Sequence, residues 1–222
     1  MWREILFSII SKTFKYNRTP VEIRILAIAL FLQGLGIRRI AKIVNRSKTS
    51  VHYWSVKFRE SLNYRAERRE RRCIAIDETK IKVNNTWYFI YAAIDIETRE
   101  LIAMKAYIAR NNLTTLDFIK QVLSFCSNKR YVEIITDKMP CYKQVCNRLG
   151  IMHRHETFGK RNYVEQVFRA FKFIAQRFNN SLCVNLRKIS LIWDKNYWFK
   201  RVLYLLSLWC NMFMFYWNVL RR

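Results

Sequence analysis

Three carboxylates stand at positions where a folded chain could use them together. Asp77 closes the apolar run 73–76. Asp137 follows the apolar run 131–135, and Glu165 lies on the polar face of an amphipathic segment. Mg²⁺ prefers oxygen ligands and is often held by a few carboxylates together with substrate phosphate. The three acids therefore predict a site for one or two Mg²⁺ ions, which would activate a water or a 3′ hydroxyl for displacement at phosphorus.

Each acid also has an ordinary structural explanation. Asp77 could be a turn residue at a strand end, and Asp137 could cap the helix whose first turn contains Pro140. Glu165 could form an i, i+4 pair with Arg169, an interaction worth only about 0.2–0.5 kcal/mol. Clustered acids would raise one another's pKa, and a bound cation explains how all three could stay ionised. Their joint occurrence in a basic protein favours the metal site.

The predicted elements place the acids at the rim of an α/β sheet. Residues 87–94 form an apolar run without a charge, which is typical of a central strand in a sheet covered on both faces. The sequence predicts further strands and helices, with strands at 73–77, 100–107, 131–135 and 151–155, and helices at 114–125, after Pro140 and at 162–179. Asp95 is interpreted as a turn residue only, and Asp117 as a cap residue of its helix.

A basic helical region precedes the predicted sheet. Apolar spacing predicts helices over 2–14, 21–32, 37–44 and 48–58, the last two joined by the polar turn 45–47. This pattern is typical of a helix-turn-helix, whose second helix reaches DNA from its N-terminal end. The candidate DNA contacts there are Arg46, Lys48, Thr49, Ser50, His52 and Lys57. A small helical bundle with a basic surface is the alternative.

The charge balance indicates a polyanionic partner. The 222 residues include 41 Lys and Arg against 16 Asp and Glu, a formal net charge of +25. Because such an excess repels itself in the folded state, we expect double-stranded DNA as the partner, ahead of an anionic membrane surface. The six cysteines include no Cys-x-x-Cys pair, which favours reduced thiols in a cytoplasmic, nucleoid-associated protein over a zinc site or disulfides.

Two segments outside the predicted site have open interpretations. Residues 60–72 are dense in charge and fit either a solvated helix or a surface that follows a phosphate backbone. Residues 202–220 contain no charge and are long enough to span a membrane. Asn211 and Asn218 would be costly in lipid, so a core or dimer-forming helix is the preferred interpretation and a membrane span is the less favoured one.

Several motifs, in order, resemble a known family. The segments that carry the resemblance are 76–83 (IDETKIKV), 92–95 (AAID), 136–142 (TDKMPCY) and 153–165 (HRHETFGKRNYVE). They closely resemble the DDE transposases of prokaryotic insertion sequences, particularly the 240-type subgroup of the insertion sequence 6 group and its archaeal members. The match covers most of residues 20–180.

The resemblance implies a ribonuclease H-like domain, a mixed sheet flanked by helices, behind a small all-α helix-turn-helix domain. It implies Asp77, Asp137 and Glu165 as a metal-binding catalytic triad, with Glu156 as a less favoured third acid. The metal would be Mg²⁺, for which Mn²⁺ could substitute. Lys172 matches the basic position that such enzymes use near the DNA end. Arg169 and Lys172 also share the helix face of Glu165, where two cations suit the phosphates of DNA. The implied reaction is nicking at the terminal inverted repeats, then attack of the freed 3′ hydroxyl on target DNA by a homodimer or larger assembly.

The expected domains are a helix-turn-helix domain at 1–60, a basic linker at 61–72, the catalytic domain at 73–180 and an apolar helical segment at 181–222. Two other functions stay open, a non-enzymatic helix-turn-helix regulator and an inactive transposase remnant. A regulator would not need carboxylates at two strand ends and on one helix face. The acids therefore separate the enzyme from the regulator.

Overall fold

Helices precede and flank one sheet in the computed structural model of the chain, which describes residues 2–14, 18–83, 85–156, 159, 162–177 and 195–221. The helices in this part are α1 (Trp2–Thr13), α2 (Val21–Leu32), α3 (Ile37–Ile43), α4 (Lys48–Ser61), α5 (Asn112–Ser124), α6 (Pro140–Leu149), α7 (Asn162–Arg177) and α8 (Lys195–Phe215). The strands are β1 (Cys73–Val83), β2 (Thr86–Asp95), β3 (Leu101–Tyr107), β4 (Glu133–Thr136) and β5 (Met152–His155). The predicted order of elements is confirmed, while the predicted domain boundary at 180 lies outside the described residues.

Helices α1 to α4 pack around an apolar core. Val51, Trp54 and Phe58 of α4 are buried, as their spacing predicts. Helix α4 begins after Ser47, whose Oγ accepts a hydrogen bond from the N–H of Ser50 at 3.0 Å. The side-chain cap and the buried stripe together fix which face of α4 points to solvent.

The sheet has the strand order β3-β2-β1-β4-β5. Strands β1, β2 and β3 pair antiparallel, whereas β4 is parallel to β1 and β5 is parallel to β4. Three antiparallel strands extended by two parallel ones, with helices in the parallel connections, define a ribonuclease H-like fold. The predicted fold class is confirmed, including the central position of the apolar strands.

Strand β1 is longer than predicted. It runs to Val83 instead of ending at Asp77, so Asp77 lies inside the strand. Its pairing with β2 continues to Val83↔Thr86, whereas its pairing with β4 ends at Ala75↔Ile135. The reason is a period-2 pattern in residues 78–83, where Thr79, Ile81 and Val83 alternate with charged residues and suit a two-stranded ribbon.

The two faces of the sheet contribute to two separate apolar cores. Ala75 of β1 and Ile135 of β4 belong to the core that includes α7, α8 and the N-terminal helices. Ile74 and Ile134, one residue earlier in each strand, belong to the core with α5 and α6. This alternation confirms the prediction that helices cover both faces. It also determines which face each functional side chain occupies.

The charged segment after α4 is extended rather than helical, and it is partly buried. Arg71 is 1% exposed, and its guanidinium lies 2.8 Å from Asp95 Oδ2 and 2.9 Å from Glu100 Oε2. Asp95 does form the predicted turn, since its Oδ1 accepts from two backbone N–H groups. The interpretation of Asp95 as a turn residue only is wrong, because Asp95 also pairs with Arg71. Sequence periodicity does not reveal an ion pair between distant segments.

The start of α5 also differs from the prediction. Asn111 is the N-cap and forms a capping box with Thr114, so Asp117 is not a cap residue. The Asp117 carboxylate instead accepts from the Tyr107 hydroxyl at 2.6 Å and lies 2.7 Å from Lys105 Nζ. The helix begins earlier than predicted because Asn serves as an N-cap as well as Thr does.

Helix α8 and the π-helical turn 216–220 pack against the sheet and the N-terminal helices. Their segment 197–220 is long and apolar enough to cross a membrane, but 56% of its apolar window is buried inside the protein. The Asn211 amide bonds both backbone groups of Tyr64, and the Asn218 amide bonds both backbone groups of Leu101. The structure therefore indicates no membrane span and supports the expected core helix.

Candidate active site

Parallel pairing of β1 and β4 brings Asp77 and Asp137 to the same level of the sheet. Ala75 and Ile135 are register partners. Asp77 comes two residues after Ala75, and Asp137 comes two residues after Ile135. Because side chains alternate along strands, Asp77 points to the face that Ala75 shares with α7. Asp137 directly follows β4 and brings a carboxylate oxygen within 4.8 Å of one from Asp77. Their carboxylates are therefore held together by the rigid centre of the sheet.

Backbone amides orient both carboxylates. Asp77 Oδ1 accepts a hydrogen bond from the N–H of Glu78 at 2.9 Å, and Asp137 Oδ1 accepts one from the N–H of Met139 at 2.9 Å. Helix α6 has Met139 as its N-cap, with no side-chain cap bond. The interpretation of Asp137 as a helix cap is wrong, because Asp137 stands two residues before the cap and bonds the turn that leads into it.

A third acid, Glu78, joins this pair. Among the described residues, Asp77, Glu78 and Asp137 each offer a carboxylate oxygen, and these oxygens lie within 4.8 Å of one another. Glu78 Oε1 lies 2.7 Å from Arg110 Nη1, and its Oε2 accepts from the Tyr142 hydroxyl. Burial, followed by the negative charge of Glu78, raises the pKa of Tyr142, so the phenol stays protonated and continues to donate.

Sequence reasoning missed Glu78 for a physical reason. Strand alternation puts Glu78 on the face opposite Asp77, so the pattern excludes a shared site. The sequence did contain a signal for Glu78. It is adjacent to Asp77, a predicted site residue, and a basic residue, Arg110, follows β3. A pattern of one sequence cannot show that the Glu78 carboxylate reaches the rim of the sheet.

Glu165 lies on α7, on the same side of the sheet as the two aspartates. Its neighbours Val164, Val167 and Phe168 are buried in the core that contains Ala75, while Glu165 itself is exposed in the first turn of the helix. Within the described part of the chain, Glu165 is not a member of the acidic group with Asp77 and Asp137. Residues 157, 158, 160 and 161, which belong to the motif before α7, lie outside the described residues.

The other predicted contacts lie on helix faces, apart from Arg46, which lies in the turn between α3 and α4. Arg169 and Lys172 follow Glu165 along the polar side of α7, and Lys172 also lines a cleft with Glu78 and Arg110. The predicted residues of the α3–α4 region are exposed apart from Ser50, which is half-buried, and they are Arg46, Lys48, Thr49, Ser50, His52 and Lys57. The side chain of Ser50 is engaged with Ser47, with the two Oγ atoms 2.9 Å apart.

The alternative third acid, Glu156, is placed differently. It follows β5, and its N–H donates to the Thr136 carbonyl at 3.1 Å. Its carboxylate lies 3.8 Å from Arg154. Glu156 is not in the acidic group that the described residues form. The structure therefore gives no support to an assignment of Glu156 to the site.

A ribonuclease H-like sheet with clustered acids in β1 and directly after β4 defines the class of DDE domains. The family model DDE_Tnp_IS240, described as a DDE domain, matches residues 72–204. The chain therefore belongs to the 240-type DDE transposase family, and the predicted family is confirmed.

One relative covers most of the chain. An uncharacterised protein of Methanocaldococcus jannaschii is 36% identical over 191 residues, which are 84% of this chain and 88% of the relative.

Two solved structures have low sequence identity to this chain. One is a chain of the simian T-cell lymphotropic virus intasome in complex with PP2A regulatory subunit B56 gamma, which is 14% identical with TM-score 0.44. The match covers 82% of this chain and 66% of the intasome chain. The catalytic core domain of BIV integrase is 16% identical with TM-score 0.43, covering 65% of this chain and 82% of the integrase domain. The fold assignment follows from the strand order and directions described above.

Proposed function

We propose that this protein is a transposase that binds the terminal inverted repeats of its element, nicks the DNA to free a 3′ hydroxyl, and joins that hydroxyl to target DNA. The observation that carries the proposal is the proximity of Asp77, in β1, and Asp137, directly after the parallel strand β4, in a DDE-family domain. Asp77, Asp137 and Glu165 are assigned as its catalytic acids.

The donor set fits Mg²⁺ or Mn²⁺. Three carboxylates with oxygens within 4.8 Å form a hard-ligand cluster, and no nitrogen or sulfur ligand belongs to the group within the described residues. Both oxygens of Glu78 are engaged by Arg110 and Tyr142, so Asp77 and Asp137 are the ligands proposed to hold the metal, with Glu165 completing the set. One or two bound ions would supply Lewis-acid stabilisation and a lowered pKa for the attacking water or hydroxyl.

The remaining steps belong to the chain's own side chains. The amides of Glu78 and Met139 orient the two aspartates, which preorganises the site before DNA arrives. Arg110 balances one of the clustered charges through its ion pair with Glu78. Lys172 and Arg169 provide positive charge for phosphates on the α7 side.

Recognition of the element's ends is assigned to the α3–α4 region. The outer face of α4 carries Lys48, Thr49, His52 and Lys57, and Arg46 precedes it, all of them exposed. A helix-turn-helix docks such a face in the major groove of double-stranded DNA. The net charge of +25 supports binding to a polyanion. We expect a homodimer or larger assembly on paired ends, acting on chromosomal DNA in the cytoplasm.

A non-enzymatic regulator is the second candidate function. It would use the same α3–α4 region and would explain the charge, but not the cluster of acids on β1 and β4. An inactive remnant would keep the fold without the reaction. Strand cleavage separates both from the active enzyme.

The test is nicking of an end-labelled duplex that carries the DNA flanking the gene, in Mg²⁺, by wild type and Asp137→Asn. We expect wild type to release one defined 3′ end and Asp137→Asn to bind the duplex without cutting it. The matched control is Glu97→Gln, which removes an exposed acid from the β2–β3 turn and should cut normally. Binding without cleavage by wild type would favour the regulator or the remnant.

A further inference from the structure

Trp87 is an exposed aromatic residue on the ribbon that β1 and β2 form beyond the centre of the sheet. Trp87 is 47% exposed and lies near the start of β2, whereas the later residues of β2 are buried. It pairs in register with Lys82 and shares a face with Lys80 and Glu78. A large aromatic ring held out on a rigid ribbon is an available stacking surface.

Two ammonium groups accompany the ring. Lys80 Nζ lies 4.9 Å and Lys82 Nζ lies 5.8 Å from the centroid of the Trp87 ring. Both lysines are exposed and flexible, so each ammonium group can move from the Trp87 ring to a nearby phosphate. Aromatic faces interleaved with cations are the features with which proteins bind single-stranded nucleic acid.

This surface is continuous with the acidic cluster. A cleft of about 640 Å³ is lined by Lys80, Trp87, Arg110 and Lys172, together with Glu78. Glu78 belongs to the acidic group with Asp77 and Asp137, so the cleft adjoins the proposed site of cleavage. The cleft carries three cations and one carboxylate, and that carboxylate is already paired with Arg110. Its surplus charge is therefore positive.

We propose that Trp87 stacks on an unpaired base at the DNA end beside the scissile phosphate, while Lys80 and Lys82 bind the flanking phosphates. Within a duplex, both faces of each base are already stacked, so an aromatic ring gains most from a base that has left its pair. Stacking of this kind tolerates any base, because every base has a π-face. The inference rests on the proposed function, since it places the scissile phosphate beside the acidic cluster.

The test uses two DNA probes, a blunt duplex and the same duplex with a short single-stranded 3′ end that carries 2-aminopurine. Both are titrated against protein in the Asp137→Asn background, where no cleavage is expected. We expect Trp87→Ala to weaken binding of the single-stranded end about tenfold and to leave the blunt duplex unchanged. The 2-aminopurine fluorescence should be quenched by the parent and by Trp87→Phe, and not by Trp87→Ala.

Three further variants make the result specific. Tyr131→Ala removes another exposed aromatic residue, from the 3-10 turn before β4, and should change neither probe's affinity. Lys80→Gln and Lys82→Gln should each reduce the slope of log affinity against log salt for the single-stranded end by about one phosphate contact. The inference would be overturned if Trp87→Ala bound each probe as tightly as its parent does. It would also be overturned if the substitution weakened binding of both probes by the same factor.

The outcomes also separate this inference from the proposed function. If wild type cuts DNA and Trp87→Ala binds the single-stranded end as tightly as its parent, the stacking surface is wrong and the transposase stands. If wild type never cuts, but loss of Trp87 selectively weakens the single-stranded end, the surface stands and the proposed catalysis fails.

Discussion

Glu78 and Glu165 are the two candidates for the third acid, and their surroundings differ. Glu78 belongs to the acidic group, but its two oxygens are already bound by Arg110 and Tyr142. Glu165 is exposed at the start of α7, above the face to which Asp77 points. To bind a metal, Glu78 would have to give up its contacts with Arg110 and Tyr142, which opposes its use as a ligand. Glu78 is therefore interpreted as support for the site and Glu165 as the ligand.

This interpretation predicts different nicking rates for the variants Glu165→Gln and Glu78→Gln. Glu165→Gln should lower the nicking rate by about 10³-fold, because it removes several kcal/mol of metal-linked transition-state stabilisation. Glu78→Gln should retain nicking within about tenfold, because the amide oxygen can still accept from Tyr142. The measurement is single-turnover nicking at saturating protein. A severe loss with Glu78→Gln and normal activity with Glu165→Gln would exchange the two roles.

The acids on β1 and β4 could be predicted from the sequence because each follows a strongly apolar run. Asp77 was expected at a strand end and lies inside β1, but the parallel pairing of β1 with β4 stops at Ala75 and Ile135, so both aspartates still come directly after the paired segment. Glu78 could not be predicted, because it depends on a side-chain path across the rim and on Arg110 and Tyr142, which are distant in the sequence. Contacts of this kind are set by tertiary packing rather than by local pattern.

At the level of elements, the segment between α4 and β1 is fixed to the sheet by a buried ion-pair network. Arg71 pairs with Asp95 and Glu100, and Arg69 adds a 2.7 Å contact to the same Glu100. The Arg71 guanidinium also donates to the Glu67 carbonyl at 2.9 Å. Because these groups are buried, removal of Arg71 takes the arginine away from Asp95 and leaves Glu100 with Arg69, in a medium of low dielectric constant.

We therefore expect Arg71→Met to lower the free energy of unfolding by about 3–5 kcal/mol. Arg72→Met is the matched control, because Arg72 is the exposed neighbour in the same segment and its substitution should change stability little. Urea unfolding followed by circular dichroism measures both. Equal midpoints for the two variants would mean that the buried network contributes no net stability.

The C-terminal helix holds two backbone segments through asparagine side chains. The Asn218 amide donates to the Leu101 carbonyl and accepts from the Leu101 N–H, each at 2.9 Å. We expect Asn218→Leu to cost about 1–3 kcal/mol, because it leaves both buried backbone groups without a partner. Ser207→Ala, at an exposed position of the preceding α8, should be close to neutral. Thermal unfolding that is the same for Asn218→Leu and wild type would contradict this role.

The helices and strands were largely predictable, and the exceptions have physical causes. Apolar periodicity located α2, α3 and α4 closely, since their buried stripes decide their structure. The length of β1 was missed because its outer half is amphipathic and pairs with β2 only. The role of α8 was ambiguous in the sequence, since a buried core helix and a membrane span have the same composition.

At the scale of the whole molecule, the positive charge should appear in the salt dependence of DNA binding. Arg46→Ala and Lys48→Ala should each reduce the slope of log affinity against log salt by about one, if each contacts one phosphate. Lys143→Ala removes an exposed lysine from α6, away from α4, and serves as the control. Fluorescence anisotropy at several salt concentrations gives the slopes. A slope unchanged by Arg46→Ala and Lys48→Ala would place the recognition surface elsewhere.

The proposed reaction requires Asp77 and Asp137 to hold a divalent ion during phosphoryl transfer on DNA. The measurement that tests it most directly is Mn²⁺ binding followed by electron paramagnetic resonance, for wild type and Asp77→Asn with DNA bound. We expect wild type to take up Mn²⁺ and Asp77→Asn to weaken the affinity by more than about tenfold. Equal uptake by the two proteins would contradict a metal site at Asp77 and the chemistry derived from it.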